Sequence, residues 1–300
     1  MLILLLFALM LLIRPALPAD HSRLSRLLRS TPHCHTHLDW QPPEAWLGTR
    51  PFYLALDGDK IVAALAATPD PPDVGWVRLA AAEGADVEAV LDALWHVTRE
   101  TLIEMKVSQI VCMMVNDWLV PHLARWGFAH YTDVVVLTRK HGATKLPATS
   151  ARKRSPILGL AFAPRARLRP VKAGDLPAIA EVDNAAFAPP WQYSLDVVQQ
   201  ALAHADCATM AEVNGGIAGY QISSGGRQGG HLARLAVRPE YQGQGVGRAL
   251  VSEVIRYFEK RNAPRITVNT QSDNESSLAV YRSLGFELTG ESYAVWRLLF

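Results

Sequence analysis

Arg238-Pro239-Glu240-Tyr241-Gln242-Gly243-Gln244-Gly245-Val246-Gly247-Arg248 is the stretch on which the reading of this chain turns. An apolar run ends at Val237, three glycines alternate over five positions, and an amphipathic pattern starts at once, with Leu250, Val254 and Phe258 recurring every four residues. The spacing predicts a strand, a glycine loop and a helix over Val246–Arg261. Glycine lets a backbone approach a ligand closely and take a positive φ. A helix start leaves N–H groups without intrahelical partners, and the helix dipole favours negative charge there. Together these features make a cradle for phosphate. No Gly-Lys-Ser/Thr follows, so the loop is not a P-loop. The G-x-G-x-G order, without a βαβ unit and a ribose-binding acid, excludes a dinucleotide fingerprint. A tight turn without a ligand needs one or two glycines, not three beside an arginine.

Outward from the loop, periodicity predicts a strand at Arg167–Val171 and helices at Asp175–Phe187 and Ser194–Ala203. Strands Cys207–Val213 and Ile217–Ser223 are joined across Asn214-Gly215-Gly216, a hairpin signal. His231–Val237 is a further strand before the loop. Arg265–Thr270 reads as a strand, Ser276–Leu284 as a helix, and the end is strand-like. Hairpins followed by strand–helix–strand give a mixed sheet with helices on its faces, α/β or α+β in class.

The same plan recurs in the first half. Ile13-Arg14-Pro15-Ala16-Leu17-Pro18-Ala19-Asp20 resembles Leu168-Arg169-Pro170-Val171-Lys172-Ala173-Gly174-Asp175, and Arg78-Leu79-Ala80 repeats as Arg234-Leu235-Ala236. Trp126-Gly127-Phe128 matches Leu284-Gly285-Phe286, and Asn116 falls on Asn274. Four matches in order at nearly constant spacing point to a tandem duplication, with domains at 11–140 and 165–300 and a basic linker at 141–164. Residues 140–169 hold eight Lys or Arg and no Asp or Glu. That charge reads most simply as a solvated connector.

Composition sets the outer bounds. Of 300 residues, 49% are hydrophobic and 19% charged, which excludes a disordered chain and suits two domains. A formal net charge of +2 is too mild to imply a nucleic-acid partner. Cys34, Cys112 and Cys207 lie far apart, so neither a disulfide framework nor a cysteine zinc site is expected, and a cytoplasmic location is the default. Met1–Ile13 is an unbroken apolar run, shorter than the ~20 residues a membrane-crossing helix needs. The hydrophobic region of a signal peptide, cut near Pro18-Ala19, is its alternative reading.

Gln242-x-x-Gly245-x-Gly247, after Leu235-Ala236-Val237 and Arg238-Pro239, resembles the acyl-CoA pyrophosphate loop of the GNAT superfamily of N-acetyltransferases. The family's second segment is matched by Asn274, Ala279-x-Tyr281 and Leu284-Gly285-Phe286. The likeness covers about 165–300 well and the first copy more loosely. It implies two tandem acyl-CoA N-acyltransferase-like domains, each a mixed, mostly antiparallel sheet flanked by helices. It implies that the strands on either side of the loop and its helix splay apart, with pantetheine against the backbone of Leu235, Ala236 and Val237. Diphosphate would then sit on Gln242, Gly243, Gln244, Gly245, Val246, Gly247 and Arg248, and Asn274 would contact CoA or serve as an ordinary N-cap. Acetyl-CoA would be the co-substrate and no metal is implied. The acceptor would be a small-molecule amine or a peptide N-terminus.

Tyr281 stands where the family places its general acid; the other reading is a core aromatic beside Leu278 and Leu284. The base stays unassigned: His231-Leu232-Ala233-Arg234-Leu235-Ala236-Val237 carries no carboxylate, and neither His231 nor Glu181, Asp183 or Glu212 is marked out by position. Acceptor specificity is expected in Phe187-Ala188-Pro189-Pro190-Trp191, similar to a segment of ribosomal-protein alanine acetyltransferases, and in the Gly-rich stretch Ser224–Gly230. On the first copy, Asp86, Val87, Glu88, Ala89 and Leu91 fall on Gln242, Gly243, Gln244, Gly245 and Gly247, and Leu123 falls on Tyr281. That half is expected to bind no acyl-CoA productively. A non-catalytic acyl-CoA sensor and a mycothiol-synthase-like tandem acetyltransferase are the alternatives to an N-acetyltransferase of the second half.

Overall fold

A computed structural model describes residues 11–84, 86–143 and 166–300. The apolar start and nearly all of the linker lie outside them. The chain divides into two compact units, Met1–Asp133 with Tyr293–Phe300, and Val134–Ser292.

The first unit contains β1 (Leu12–Pro15), α1 (His21–Ser30), β2 (His33–Thr36), β3 (Phe52–Asp57), β4 (Lys60–Ala66), β5 (Val74–Trp76), β6 (Leu79–Ala82), α2 (Val87–Glu104), β7 (Gln109–Met113), α3 (Val120–Arg125) and the start of β8 (Ala129–Lys140). One sheet runs β1-β3-β4-β6-β2, antiparallel throughout. β5 pairs in parallel with β7, and Val295–Leu299 at the chain's end pairs antiparallel with β7. The sheet buries Phe52, Leu54 and Leu79 with Leu24 and Leu27 of α1, and Leu65, Ala80 and Ala82 with Leu91, Leu94 and Trp95 of α2.

The second unit contains β9 (Arg167–Pro170), α4 (Leu176–Ala186), α5 (Leu195–Ala203), β10 (Cys207–Val213), β11 (Gly216–Gly226), β12 (Gly229–Val237), α6 (Val246–Glu259), β13 (Arg265–Gln271), α7 (Glu275–Ser283) and the start of β14 (Glu287–Leu299). Its strands run β9-β10-β11-β12-β13, and β13 then pairs antiparallel with Val134–Lys140 of β8. Only the β12–β13 pair is parallel here. α6 buries Val246, Leu250, Val251, Val254, Ile255 and Phe258, the stripe its periodicity predicts. Each such side chain contributes about 1.5–3 kcal/mol on full burial.

The compact units and the sequence halves are different divisions of the chain, because β8 and β14 are long. β8 lies in the first unit through Asp133 and in the second from Val134; β14 lies in the second through Ser292 and in the first from Tyr293.

A side-chain device repeats with the duplication. Arg14 grips Asp20 through Nη1 and Nη2 at 2.7 Å each, and Asp20 accepts from the Leu17 N–H. Arg169 grips Asp175 in the same way at 2.6 and 2.9 Å, and Asp175 accepts from the Lys172 N–H. In each unit this bidentate pair fixes the turn between the first strand and the first helix.

Candidate active site

The second unit's site begins where a parallel pairing stops. β12 meets β13 only at Gly230↔Ile266, His231↔Thr267 and Leu232↔Val268. Beyond that point β13 continues against β8 as far as Gln271↔Val134, and β12 continues against β11 as far as Val237↔Gly219. The two strands diverge and leave a gap along β12. The Arg238 N–H donates to the Ala218 carbonyl at 2.9 Å, so antiparallel alternation makes Ala236/Tyr220 and Arg234/Ile222 the hydrogen-bonded pairs. The backbone N–H and C=O of Leu235 and Val237 therefore face the gap. Gln242 Nε2 donates to the Val237 carbonyl at 3.0 Å, tying the loop to the strand end.

The loop turns through Pro239–Tyr241, and Gly243 and Gly245 take φ of +71° and +84°. α6 starts at Val246, and the Ala249 N–H is bonded to the Gly245 carbonyl at 3.0 Å. The N–H groups of Val246, Gly247 and Arg248 thus lie ahead of the helix's own acceptors and carry its positive end. A Cβ at Gly247 would sit at an ordinary 3.7 Å from Val237 Cγ2, and alanine in a helix is favoured over glycine by about 1 kcal/mol. The protein's own packing does not call for this glycine. Gln244 Nε2 donates to the Glu240 carbonyl at 2.7 Å within the loop, and Arg248 Nη1 donates to Ser283 Oγ at 2.6 Å, fastening α6 to α7.

Tyr281, on α7, is buried in an apolar cluster that includes Val251 and Phe286, with Leu235 packed against it. Burial pushes its phenol above the ordinary tyrosine range, against the opposing effect of a hydrogen bond with Ser277, so it holds its proton at neutral pH. Asn274 is the N-cap of α7: its Oδ1 accepts from the Ser277 N–H at 3.1 Å and from Ser276 Oγ at 3.0 Å.

The candidate bases are all engaged. His231 shares a 2.9 Å hydrogen bond between Nδ1 and Thr267 Oγ1, and burial lowers its pKa, which keeps the ring neutral. Glu212 lies on Arg169 at 2.5 Å, and the exposed Glu181 carboxylate lies 3.3 Å from Arg238. Asp183 is fully buried and accepts from Tyr220 Oη at 2.5 Å, from the Tyr193 N–H at 2.7 Å, and from Arg234 Nε and Nη2 at 2.8 Å each.

Sequence reading missed that last cluster. Arg234 was noticed only as part of a repeat, although a cation inside an apolar strand is itself a signal. The Gly-rich stretch Ser224–Gly230 is the end of the β11–β12 hairpin. β11 runs to Gly226 and β12 starts at Gly229, and a Cβ at Gly230 would meet the Phe258 ring at 2.5 Å. That glycine makes room for the α6 core.

In the first unit the corresponding place is filled by the chain. β5 and β6 match the two parts of β12: Val74–Trp76 pairs with β7 as Gly230–Leu232 does with β13, and Leu79–Ala82 falls on the part that borders the gap. There β2 lies along β6, with His33↔Ala82, Cys34↔Ala81, His35↔Ala80 and Thr36↔Leu79. Asn116, the match of Asn274, donates from Nδ2 to the Cys34 carbonyl at 3.3 Å. The glycine loop has no counterpart. α2 begins at Val87, a turn earlier than the position matching Val246, and Asp86 caps it by accepting from the Ala89 N–H at 3.2 Å. Glu88 of the first turn pairs with Arg125. Without glycines at these positions the helix runs on through them.

Among the described residues, no group of three or more His, Cys, Asp or Glu could hold a metal, and no helix is long and apolar enough to cross a membrane. Residues 176–286 match the model of the acetyltransferase (GNAT) family. The ribosomal protein bS18-alanine N-acetyltransferase of Escherichia coli strain K12 is 32% identical over 112 residues, covering 37% of this chain and 74% of that protein. A GCN5-related N-acetyltransferase from Sphaerobacter thermophilus superposes with a TM-score of 0.59 at 16% identity, covering 96% of this chain and 95% of that one. A tandem GNAT protein from the clavulanic acid biosynthesis pathway superposes with a TM-score of 0.58 at 15% identity, covering 96% and 98%.

Proposed function

The chain belongs to the GNAT acetyltransferase family, and on that premise we propose that its second unit carries one working site, which transfers an acetyl group from acetyl-CoA to a primary amine. The observation that carries this reading is the gap beside β12, with the Leu235 and Val237 backbone groups turned into it and a glycine-opened helix start at its end. The first unit supplies an internal likeness: its matching edge is paired with an extended peptide, whose amide groups are of the kind that pantetheine also presents.

Leu235, Ala236 and Val237 would hold the pantetheine arm through backbone hydrogen bonds. The N–H groups of Gly243, Gln244, Gly245, Val246, Gly247 and Arg248 would hold the diphosphate, with Gln242 bracing the loop. Asn274 would add a contact from the cap of α7 while keeping its own turn in place. Acetyl-CoA supplies the acyl group as a thioester, activated for attack by an amine. The Val237 N–H, which faces the gap, would hold a developing negative oxygen. Tyr281, kept protonated by burial, would hold its proton at the phenol oxygen until the thiol leaves, and then donate it. With the side-chain bases engaged, the acceptor would enter as a neutral amine or lose its proton to water.

The acceptor proposed is a peptide N-terminus or a small-molecule amine. The name of the Escherichia coli relative supports the first. A thiol-release assay with acetyl-CoA across N-terminal peptides, polyamines, amino sugars and aminoglycosides tests this, paired with calorimetric titration of CoA. Turnover with at least one class and one CoA bound per chain are expected. CoA binding without turnover on any acceptor would leave a sensor, and absence of binding would overturn the site itself.

A further inference from the structure

Arg234 is nearly buried on β12, its side chain 10% exposed, and it reaches both Asp183 of α4 and the segment Phe187–Tyr193. Nη2 donates to the Trp191 carbonyl at 2.6 Å. The guanidinium carbon lies 3.7 Å from the centre of the Phe187 ring and 3.8 Å from that of Tyr193. Asp183 holds the guanidinium bidentately and also accepts from the Tyr193 N–H. One cation thereby ties the segment Phe187–Tyr193, between α4 and α5, to the strand position next to Leu235. Lysine has neither the planar fork nor the two flat faces this arrangement uses.

The duplicate copy makes the same attachment by other means. Arg78, the match of Arg234, donates from Nη1 to Asp39 Oδ2 at 2.7 Å, and its guanidinium carbon stacks 4.5 Å over the Trp46 ring. Its carbonyl accepts from the His37 N–H at 2.9 Å. Again an arginine, here just ahead of the gap-bordering strand β6, a buried aspartate carboxylate and an aromatic ring hold the segment that follows the first helix. In the first unit that segment is β2 and its continuation, lying in the gap. In the second, the stretch that follows α4 carries Pro189 and Pro190. Neither proline has an N–H to donate to a ladder, so the segment stays out of the gap and stands beside it.

We propose that Arg234 is a positioning residue for the acceptor: through Asp183 it holds Phe187–Tyr193 as the wall of the acceptor side and so sets which amines fit. This rests on the second unit being the working acetyltransferase site. Arg234→Lys keeps the charge without the fork. Asp183→Asn with Arg234→Met removes both charges together, so no buried ion is left alone, the circumstance that most endangers folding.

Both variants of the full chain are assayed for acceptor KM, acetyl-CoA KM and kcat, with amide exchange over 187–193. The double variant is expected to raise acceptor KM at least tenfold, to leave acetyl-CoA KM within twofold, and to speed exchange at Tyr193, with Arg234→Lys intermediate. A folded double variant with unchanged acceptor KM, or with both KM values and kcat worsened alike, overturns the proposal. A wild-type chain that neither binds acetyl-CoA nor turns over overturns the function reading itself, and this proposal with it.

Discussion

The two units share a plan and differ in what completes it. Along the gap-bordering strand, the second unit turns the Leu235 and Val237 backbone groups outward, whereas the first pairs β6 with its own β2. At the following helix, the second unit starts on Gly245 at φ +84° without a side-chain cap, whereas the first starts on Asp86, whose carboxylate caps the turn. Where the second unit has Tyr281, the first has Leu123, buried in its core. Backbone groups that one copy leaves open, the other satisfies from within. Restoring glycines alone would therefore not open the first unit, because unsatisfied backbone is costly and β2 occupies the matching place.

The largest effect that would sharpen this contrast is on turnover. Tyr281→Phe keeps the ring in its cluster and removes the proton donor, so kcat should fall about 10²–10⁴-fold with CoA affinity unchanged. Leu123→Tyr, adding a phenol to the self-filled unit, should restore nothing in that background. Steady-state kinetics beside CoA titration read both. Equal activity of Tyr281→Phe and wild type would remove Tyr281 from the chemistry.

Next in size is the acid sensitivity of the filled gap. Burial lowers the pKa of His35 to about 4, with Nε2 against the Val77 carbonyl at 3.3 Å, and desolvation beside Arg78 lowers that of the half-buried His37 well below the usual range. A folded pKa below the unfolded 6.5 means the unfolded chain takes up the proton first as pH falls. The stability tied to neutral His35 is therefore full above about pH 6.5 and lost between 6.5 and 4, about 3 kcal/mol in all. Amide exchange of Leu79–Ala82, corrected for intrinsic rates, should accelerate more between pH 7 and 5 than that of β10 and β11. His231 is pushed the same way in the second unit, so the contrast is one of degree. Equal acceleration of both sets would break it.

How much of this was legible in sequence follows from range. The α6 stripe, the Asn214-Gly215 turn between β10 and β11 and the Asn274 cap were readable because each is settled within a few residues. β2 was not: His33-Cys34-His35-Thr36 has no strand-like composition, and its partner β6 lies some forty residues on. The Asp183–Arg234 pair spans 51 residues. β8 and β14 escaped a division by repeats because strand pairing, not sequence likeness, decides which unit each part completes. The glycine loop was readable as a ligand cradle, but its fate in the first copy was not. Counting substitutions put two carboxylates where diphosphate would lie, whereas the residues there are helix, with Asp86 spent on the cap.

Converting one loop toward the other tests that last point. Gly243→Val with Gly245→Ala gives the second unit the residues of the first, Val87 and Ala89. Neither side chain tolerates the positive φ found there, so α6 should extend backward and withdraw the free N–H groups. CoA affinity should fall about a hundredfold, or about 2.7 kcal/mol, with little loss of melting temperature. Undiminished affinity would mean that diphosphate binds elsewhere.

The smallest effect comes from the cap. Asp86→Ala removes the acceptor for the Ala89 N–H and should cost the first unit about 1 kcal/mol, seen as a lower denaturant midpoint. The same substitution also bares the end of α2, which invites the question whether an anion then binds there. It should not do so productively: β2 still lies along β6, and the positions that match Gly243, Gly245 and Gly247 are Val87, Ala89 and Leu91 of α2. Sulfate or CoA should therefore leave the variant's midpoint where it was, while CoA continues to protect the second unit. Protection of the first unit by CoA in Asp86→Ala would show that a single carboxylate, and not the inserted strand, governs whether this copy binds.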